Sequence, residues 1–139
     1  MNNMEKNTAA GQVATEYLIL IGILLTALGI MAGYALTTYY ETMRIHQATN
    51  AVETLASAAD QVYALGQGNS TTVPISLPAG ITESHVVGNE IYVVLEAFGT
   101  TGDIVAETKG PVSGTLPTAE GTYRISVAVV DENVVLSEV

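Results

Sequence analysis

Cysteine and tryptophan are absent, and the 139 residues include a single phenylalanine. Without cysteine there is no disulfide framework, no thiolate metal site and no cysteine nucleophile. Aromatics make up only 6% of a chain that is 48% hydrophobic, so its apolar residues are not those of an aromatic-rich globular core. Positive charge is scarce as well: 4 Lys and Arg stand against 14 acids, a net charge of −10. Nucleic acid, which demands a basic footprint, is excluded as a partner. A solvated, mutually repelling outer surface fits this balance. The length suits one domain, or one domain joined to a membrane helix.

What the chain does have is one long uncharged run. No charge occurs from Tyr17 to Leu36; Glu16 stands at its entrance and Glu41 is the first charge beyond it. As a helix rising 1.5 Å per residue, the run would reach about 30 Å, the hydrocarbon thickness of a bilayer. Its ten Leu and Ile residues contribute roughly −3 to −6 kcal/mol to insertion. Tyr39 and Tyr40 follow where an aromatic belt would lie. A helix this long and apolar on all sides needs lipid or a complete protein shell. Residues 1–11 are polar and carry only Glu5 and Lys6. An ordinary secretory signal ends a shorter apolar stretch with a small-residue cleavage site. The nearest such site, Ala56-Ser57-Ala58, falls far beyond the run, so the run is expected to stay with the mature protein.

Gly22, Thr26, Gly29, Gly33 and Thr37 recur at helical steps and form one small-residue stripe, with Leu and Ile opposite. Such stripes let helix backbones approach closely where water supplies no driving force. Gly and Thr are also simply common in membrane helices. Each glycine lowers helix propensity by ~1 kcal/mol, which would permit bending during assembly.

Beyond Thr37 the helical pattern becomes amphipathic. Ala48, Val52, Leu55, Ala59 and Val62 form an apolar stripe, while Glu53, Thr54, Ser57, Asp60 and Gln61 mostly take the other side. Gly66 or Gly68 can cap the end near Ala64. The remainder reads as strands: Thr71–Leu77, Ile81–Val87, Glu90–Phe98, Ile104–Thr108, Val112–Leu116, Thr122–Val130 and Val134–Val139, with turn signals between them. A sheet of this size seldom makes a sufficient core alone. The expectation is an α+β fold: a long hydrophobic N-terminal helix whose amphipathic half packs on a small antiparallel β-sheet headpiece.

Catalytic chemistry finds little support, and no catalytic, cofactor-binding or metal site is expected. His46 falls on the helix and His85 on a strand, without metal-like spacing. Ser84 beside His85 is no triad signal, since adjacent strand residues point to opposite faces. Asp131-Glu132-Asn133 reads as a solvated turn rather than a cation loop. Asn69-Ser70-Thr71 is an N-x-[ST] sequon in an exposed loop, making Asn69 a candidate for N-glycosylation.

The stretch GQVATEYLIL, from Gly11 to Leu20, resembles the class III signal peptide of archaeal type IV pilins. In that family a prepilin peptidase cuts before the hydrophobic segment. Gln follows the cut directly, an acid stands four residues on, and Leu four beyond that; Gln12, Glu16 and Leu20 match. The likeness is specific over residues 11–36 and looser afterwards, where Leu77–Leu95 is similar to pilin headpieces. Ala9 and Ala10 stand where the family usually has Lys or Arg, and Ala14 where Ser is common. The resemblance implies cleavage between Gly11 and Gln12, so that a chain beginning at Met1 would be the precursor. It also implies self-assembly into a helical surface filament, a separate assembly ATPase with a membrane platform protein, and a role in adhesion. The precursor would be a single-pass membrane protein with its headpiece outside. The expected division is a leader at 1–11, a transmembrane and assembly helix at 12–40, an amphipathic helix at 41–65 and an extracellular headpiece at 66–139. ATEY also resembles the start of bacterial Flp-type pilins, which usually lack such a headpiece.

Cleavage would create a cationic α-amine on Gln12. Glu16 at an apolar boundary is costly and needs a partner. In a helical stack the amine of one subunit could meet Glu16 of its neighbour and fix register. Alternatively, Glu16 is a helix N-terminal acid favoured by the macrodipole. The competing reading of the whole chain is a permanently membrane-anchored surface binding domain that never polymerises.

Overall fold

A computed structural model describes the backbone from residue 3 and side chains from Gly11 to Val139. The expected leader, with Glu5, Lys6, Ala9 and Ala10, therefore lies outside the described side chains up to Gly11. One helix, α1 (Asn3–Leu65), is followed by β1 (Ser70–Leu77), β2 (Ile81–Val87), β3 (Glu90–Ala97), β4 (Thr100–Glu107), β5 (Val112–Gly114), β6 (Gly121–Val130) and β7 (Asn133–Glu138). The fold is α+β. The chain forms two compact units, Met1–Tyr39 and Tyr40–Val139, so the second half of α1 belongs with the strands.

The strands differ from the single antiparallel sheet expected. They make two sheets, a four-stranded one in the order β1-β6-β7-β5 and a three-stranded one in the order β2-β3-β4. One pair, β5 with β7, is parallel. The connections explain why. A two-residue turn joins β6 to β7, as Val130 faces Asn133 in antiparallel pairing. β5 arrives from β4 by the Thr108–Pro111 segment and runs beside β7 in the same direction. Residues 115–120 then carry the chain from β5 to β6, on the other side of β7 in the same sheet.

Between these sheets and α1 lies one core. Its helical members include Ala48, Val52, Leu55, Ala59 and Val62, the stripe expected from the sequence. Ile91, Val93 and Leu95 come from β3, and Ile125, Val127 and Val129 from β6. Period-two alternation places them on the inward faces. Glu53, Thr54, Ser57 and Gln61 are exposed on the outer face of the helix. Alanine on the packed face keeps the helix close to strands rich in branched residues.

Both ends of the packed helix segment are tied down by polar contacts. At its start, Arg44 Nε donates to the Ala79 carbonyl at 2.9 Å, and Nη2 donates to the Ala79 and Glu96 carbonyls at 2.5 and 3.0 Å. Nη1 completes the set with Glu41 at 2.8 Å. The planar guanidinium thereby satisfies carbonyls of the β1–β2 turn and of β3 at once. Gly80, at φ +91°, lies directly under this group, and a Cβ there would collide with Arg44 Nη2. At the far end, Gly66 takes φ +88° and its N–H donates to the Val62 carbonyl at 3.1 Å. This is the left-handed glycine closure common at helix C-termini. Farther along the same segment, Asp60 accepts the Lys109 N–H at 2.7 Å, and Gly110 packs against the ring of Tyr63. Among the described residues, no buried side-chain nitrogen or oxygen lacks a hydrogen-bond partner.

Leu55 is fully buried, so Leu55→Ala should cost about 2–5 kcal/mol through lost contact and a residual cavity. Chemical denaturation of the detergent-solubilised chain, followed by far-UV circular dichroism, measures this. Gly80→Ala should cost at least about 1–3 kcal/mol, because the new methyl meets both a left-handed backbone and Arg44.

Candidate functional site

Gly11, Gln12, Glu16, Gly22, Thr26, Gly29, Gly33 and Thr37 fall on one element of the first unit, the N-terminal part of α1. This helix is long and apolar enough to cross a membrane. None of its apolar window is buried by the chain itself. Leu18, Ile30, Met31 and Tyr34 are each exposed by 70% or more of their surface, and they point in different directions around the helix. The alternative of a helix buried within its own soluble domain is therefore not what the fold provides. The cover must come from another medium.

The stripe has a definite local chemistry. Thr26 donates its hydroxyl to the Gly22 carbonyl at 2.8 Å, and Thr37 donates to the Gly33 carbonyl at 3.1 Å. Both threonines thus satisfy their hydroxyl within the helix, which removes most of the penalty of an apolar surround. A Cβ built on Gly22, Gly29 or Gly33 meets nothing within 4 Å. Among the described residues, no contact calls for glycine at these three positions. A helix approaching from outside would supply such a contact.

At the head of the run, Gln12 Nε2 faces Glu16 Oε1 at 3.4 Å, one turn apart on the exposed helix surface. Thr15 donates to the Gly11 carbonyl at 2.9 Å. Gly11 and Gln12, where cleavage was expected, are helical and exposed. Glu16 has the side-chain amide of Gln12 as its neighbour.

Asn69 has a role that the sequence did not disclose. Its side-chain amide donates to the Leu65 and Gly66 carbonyls, each at 3.0 Å, capping the end of α1. Its backbone carbonyl accepts the Val129 N–H at 3.0 Å. A glycan on this amide nitrogen would remove one of its two hydrogens and hence one capping bond.

The remaining candidates are dispersed. His46 is exposed on the helix, and His85 stacks on Tyr92 with ring centres 4.8 Å apart. Ser84 donates to the Leu116 carbonyl at 2.8 Å. Asp131 and Glu132 form the exposed β6–β7 turn, and Asn133 donates to Ser113 at 2.6 Å. Among the described residues, no group of three or more His, Asp or Glu side chains gathers at a metal-sized site.

Comparison with protein-family models, with curated proteins and with solved structures gives no match to this chain. The functional reading therefore rests on the residues themselves. If the glycines serve close approach between helices, Gly29→Leu with Gly33→Leu should leave unfolding of the second unit within about 0.5 kcal/mol of the parent. The same pair should reduce self-association of the chain in detergent, read by cross-linking.

Proposed function

We propose that this chain is the structural subunit of a surface filament of the archaeal type IV pilus kind. The observation that carries the reading is the apolar run of α1, uncovered on every side and joined directly to a folded α+β unit. Such a helix is stable in two settings, the bilayer and a bundle of its own copies. The precursor sits as a single-pass membrane protein with its folded unit outside. A prepilin peptidase removes residues 1–11, cutting between Gly11 and Gln12. A membrane platform protein and an ATPase then move the helix from lipid into the growing shaft.

Within the shaft, the new amine of Gln12 pairs with Glu16 of a neighbouring subunit and sets register. The Gly22, Thr26, Gly29, Gly33 and Thr37 stripe lets helices approach closely. The folded units coat the outside, where their net negative charge keeps filaments soluble and apart, and they serve adhesion. The role is structural and calls for no cofactor. A glycan on Asn69 would add to the solvated coat. The GQVATEYLIL sequence and the intramolecular satisfaction of Thr26 and Thr37 support this account.

N-terminal sequencing of fibres sheared from cells tests it. The expected N-terminus is Gln12. An intact leader together with the absence of fibres would favour a permanently anchored surface domain instead. Breaking a buried ion pair by removing one partner costs about 3–5 kcal/mol. Glu16→Ala should therefore leave membrane insertion intact and lower filament yield sharply, as measured by electron microscopy and by pelleting of sheared material. Normal filaments from that variant would defeat the register role.

A further inference from the structure

We propose that the outward face of the β2-β3-β4 sheet is a docking surface for an extended, basic segment of another protein. This names the kind of partner for the adhesive role of the folded unit, and it rests on that reading for its setting.

Strand register defines the face. Ile91, Val93 and Leu95 are buried, so the residues between and around them on β3 point outward. Pairing then sets out four rows across the strands. Glu96 with Thr101 makes the first, and Glu83, Val94 and Asp103 make the second. His85, Tyr92 and Val105 make the third; Val87, Glu90 and Glu107 make the fourth. A sheet with one face on the core normally carries polar residues on the other. Here the third row is aromatic and apolar instead. The His85 ring stacks on Tyr92 with centres 4.8 Å apart, and Val105 beside them is 51% exposed. Packing within the chain does not account for these residues on the solvent side.

Charge around that row has one sign. β2, β3 and β4 hold five acids and neither Lys nor Arg, and all five acids lie in the outward rows. The four strands of the other sheet hold one acid, Glu138, and one cation, Arg124. Lys109 follows β4 and lines the groove beside α1. Glu83 lies 3.3 Å from His85 Nε2. Glu90 and Glu107 stand directly opposite each other. Like charges so placed destabilise a strand pair, so folding does not call for them. A cation brought from outside would turn that cost into attraction. A metal ion is a poor fit, because among the described residues no three His, Asp or Glu side chains gather at a metal-sized site. The matching positive charge must be spread along the face.

Spacing specifies the partner further. Successive rows are two residues apart along a strand, about 6.6–6.8 Å, so the second and fourth rows lie about 13 Å apart with the apolar row between them. An extended segment presents alternate side chains at the same interval. Basic, basic, apolar and basic residues at every second position match the four rows in order. Arginine suits the basic positions, since its planar fork pairs with a carboxylate through two parallel hydrogen bonds. A leucine at the apolar position would cover Tyr92 and Val105.

The test titrates the full chain, in uncharged detergent, into two fluorescently labelled peptides of one composition and follows their anisotropy. One peptide is Arg-Ser-Arg-Ser-Leu-Ser-Arg, and the other gathers the same residues as Arg-Arg-Arg-Leu-Ser-Ser-Ser. The alternating peptide should bind at least about tenfold more tightly, and added salt should weaken it. Glu90→Gln with Glu107→Gln should lower that affinity at least about tenfold while the unfolding midpoint stays equal or rises, because a repulsive pair is removed. Glu120→Gln with Glu138→Gln removes the same charge from exposed positions off this face, and should change affinity by less than about twofold.

Equal binding of the two peptides, or equal weakening by the two double variants, would reduce the effect to net charge and overturn the docking face. Val105→Cys supplies one thiol at the centre of the face. It should react with a soluble maleimide in purified fibres as readily as in detergent. Protection in fibres alone would assign the face to a neighbouring copy and overturn the proposal. The two readings fail separately. Fibres beginning at Gln12, built from a chain that binds neither peptide, would leave the filament and remove the docking face. A peptide preference of the expected kind without any fibres would keep the face and move it to an anchored surface domain.

Discussion

An uncovered apolar helix is the constraint on which the rest of this structure depends. From Tyr17 to Leu36 the chain places large apolar side chains around α1 everywhere but on its glycine and threonine stripe, and gives them no cover of its own. Water is the one medium in which that arrangement is strongly unfavourable. Lipid and neighbouring helices are two surrounds that would favour the helix. Its glycine and threonine face suits both, since Thr26 and Thr37 keep their hydroxyls bonded to the helix backbone. A change of apolar surround then requires no change of internal hydrogen bonding.

The second unit solves a different problem with the same helix. Seven short strands in two sheets would leave an open apolar face, and the Ala48–Val62 stripe closes it. Arg44 fastens the start of that segment to the β1–β2 turn and to β3. The Gly66 closure and the Asn69 amide finish its end. The helix is thus a core element of the folded unit over one half and an apolar rod over the other. Continuity of α1 joins the two covalently.

Much of this was legible in the sequence, for identifiable reasons. The apolar run declares itself by the absence of charge, and the helical stripe declares itself by its spacing; Ala48, Val52, Leu55, Ala59 and Val62 are all buried as that spacing implied. The alternation of Ile91, Val93 and Leu95 located one inner face correctly. What failed was pairing. Gly102 and Asp103 read as turn residues, yet they lie inside β4, opposite Leu95 and Val94. The actual turn is Phe98-Gly99, where an aromatic hides the signal. The parallel pairing of β5 with β7 depends on contacts distant in sequence, which local pattern does not encode. Arg44 was equally invisible as a fastener, because its partners are backbone carbonyls. For the N-terminal part of α1, sequence and structure carry complementary parts. The Gln12 and Glu16 order is a property of sequence, and the open space over Gly22, Gly29 and Gly33 is a property of the fold.

The central claim is that the run exchanges lipid for copies of itself without passing into water. Since the chain has no cysteine of its own, Leu28→Cys provides a single thiol inside the run. Its reaction with a membrane-impermeant maleimide is the most direct measurement, made once on intact cell membranes and once on purified fibres. The account predicts protection in both, with disulfide or short bifunctional cross-links between copies appearing only in the fibres. A thiol that reacts freely in either state, or that lies against water in the native material, would contradict it.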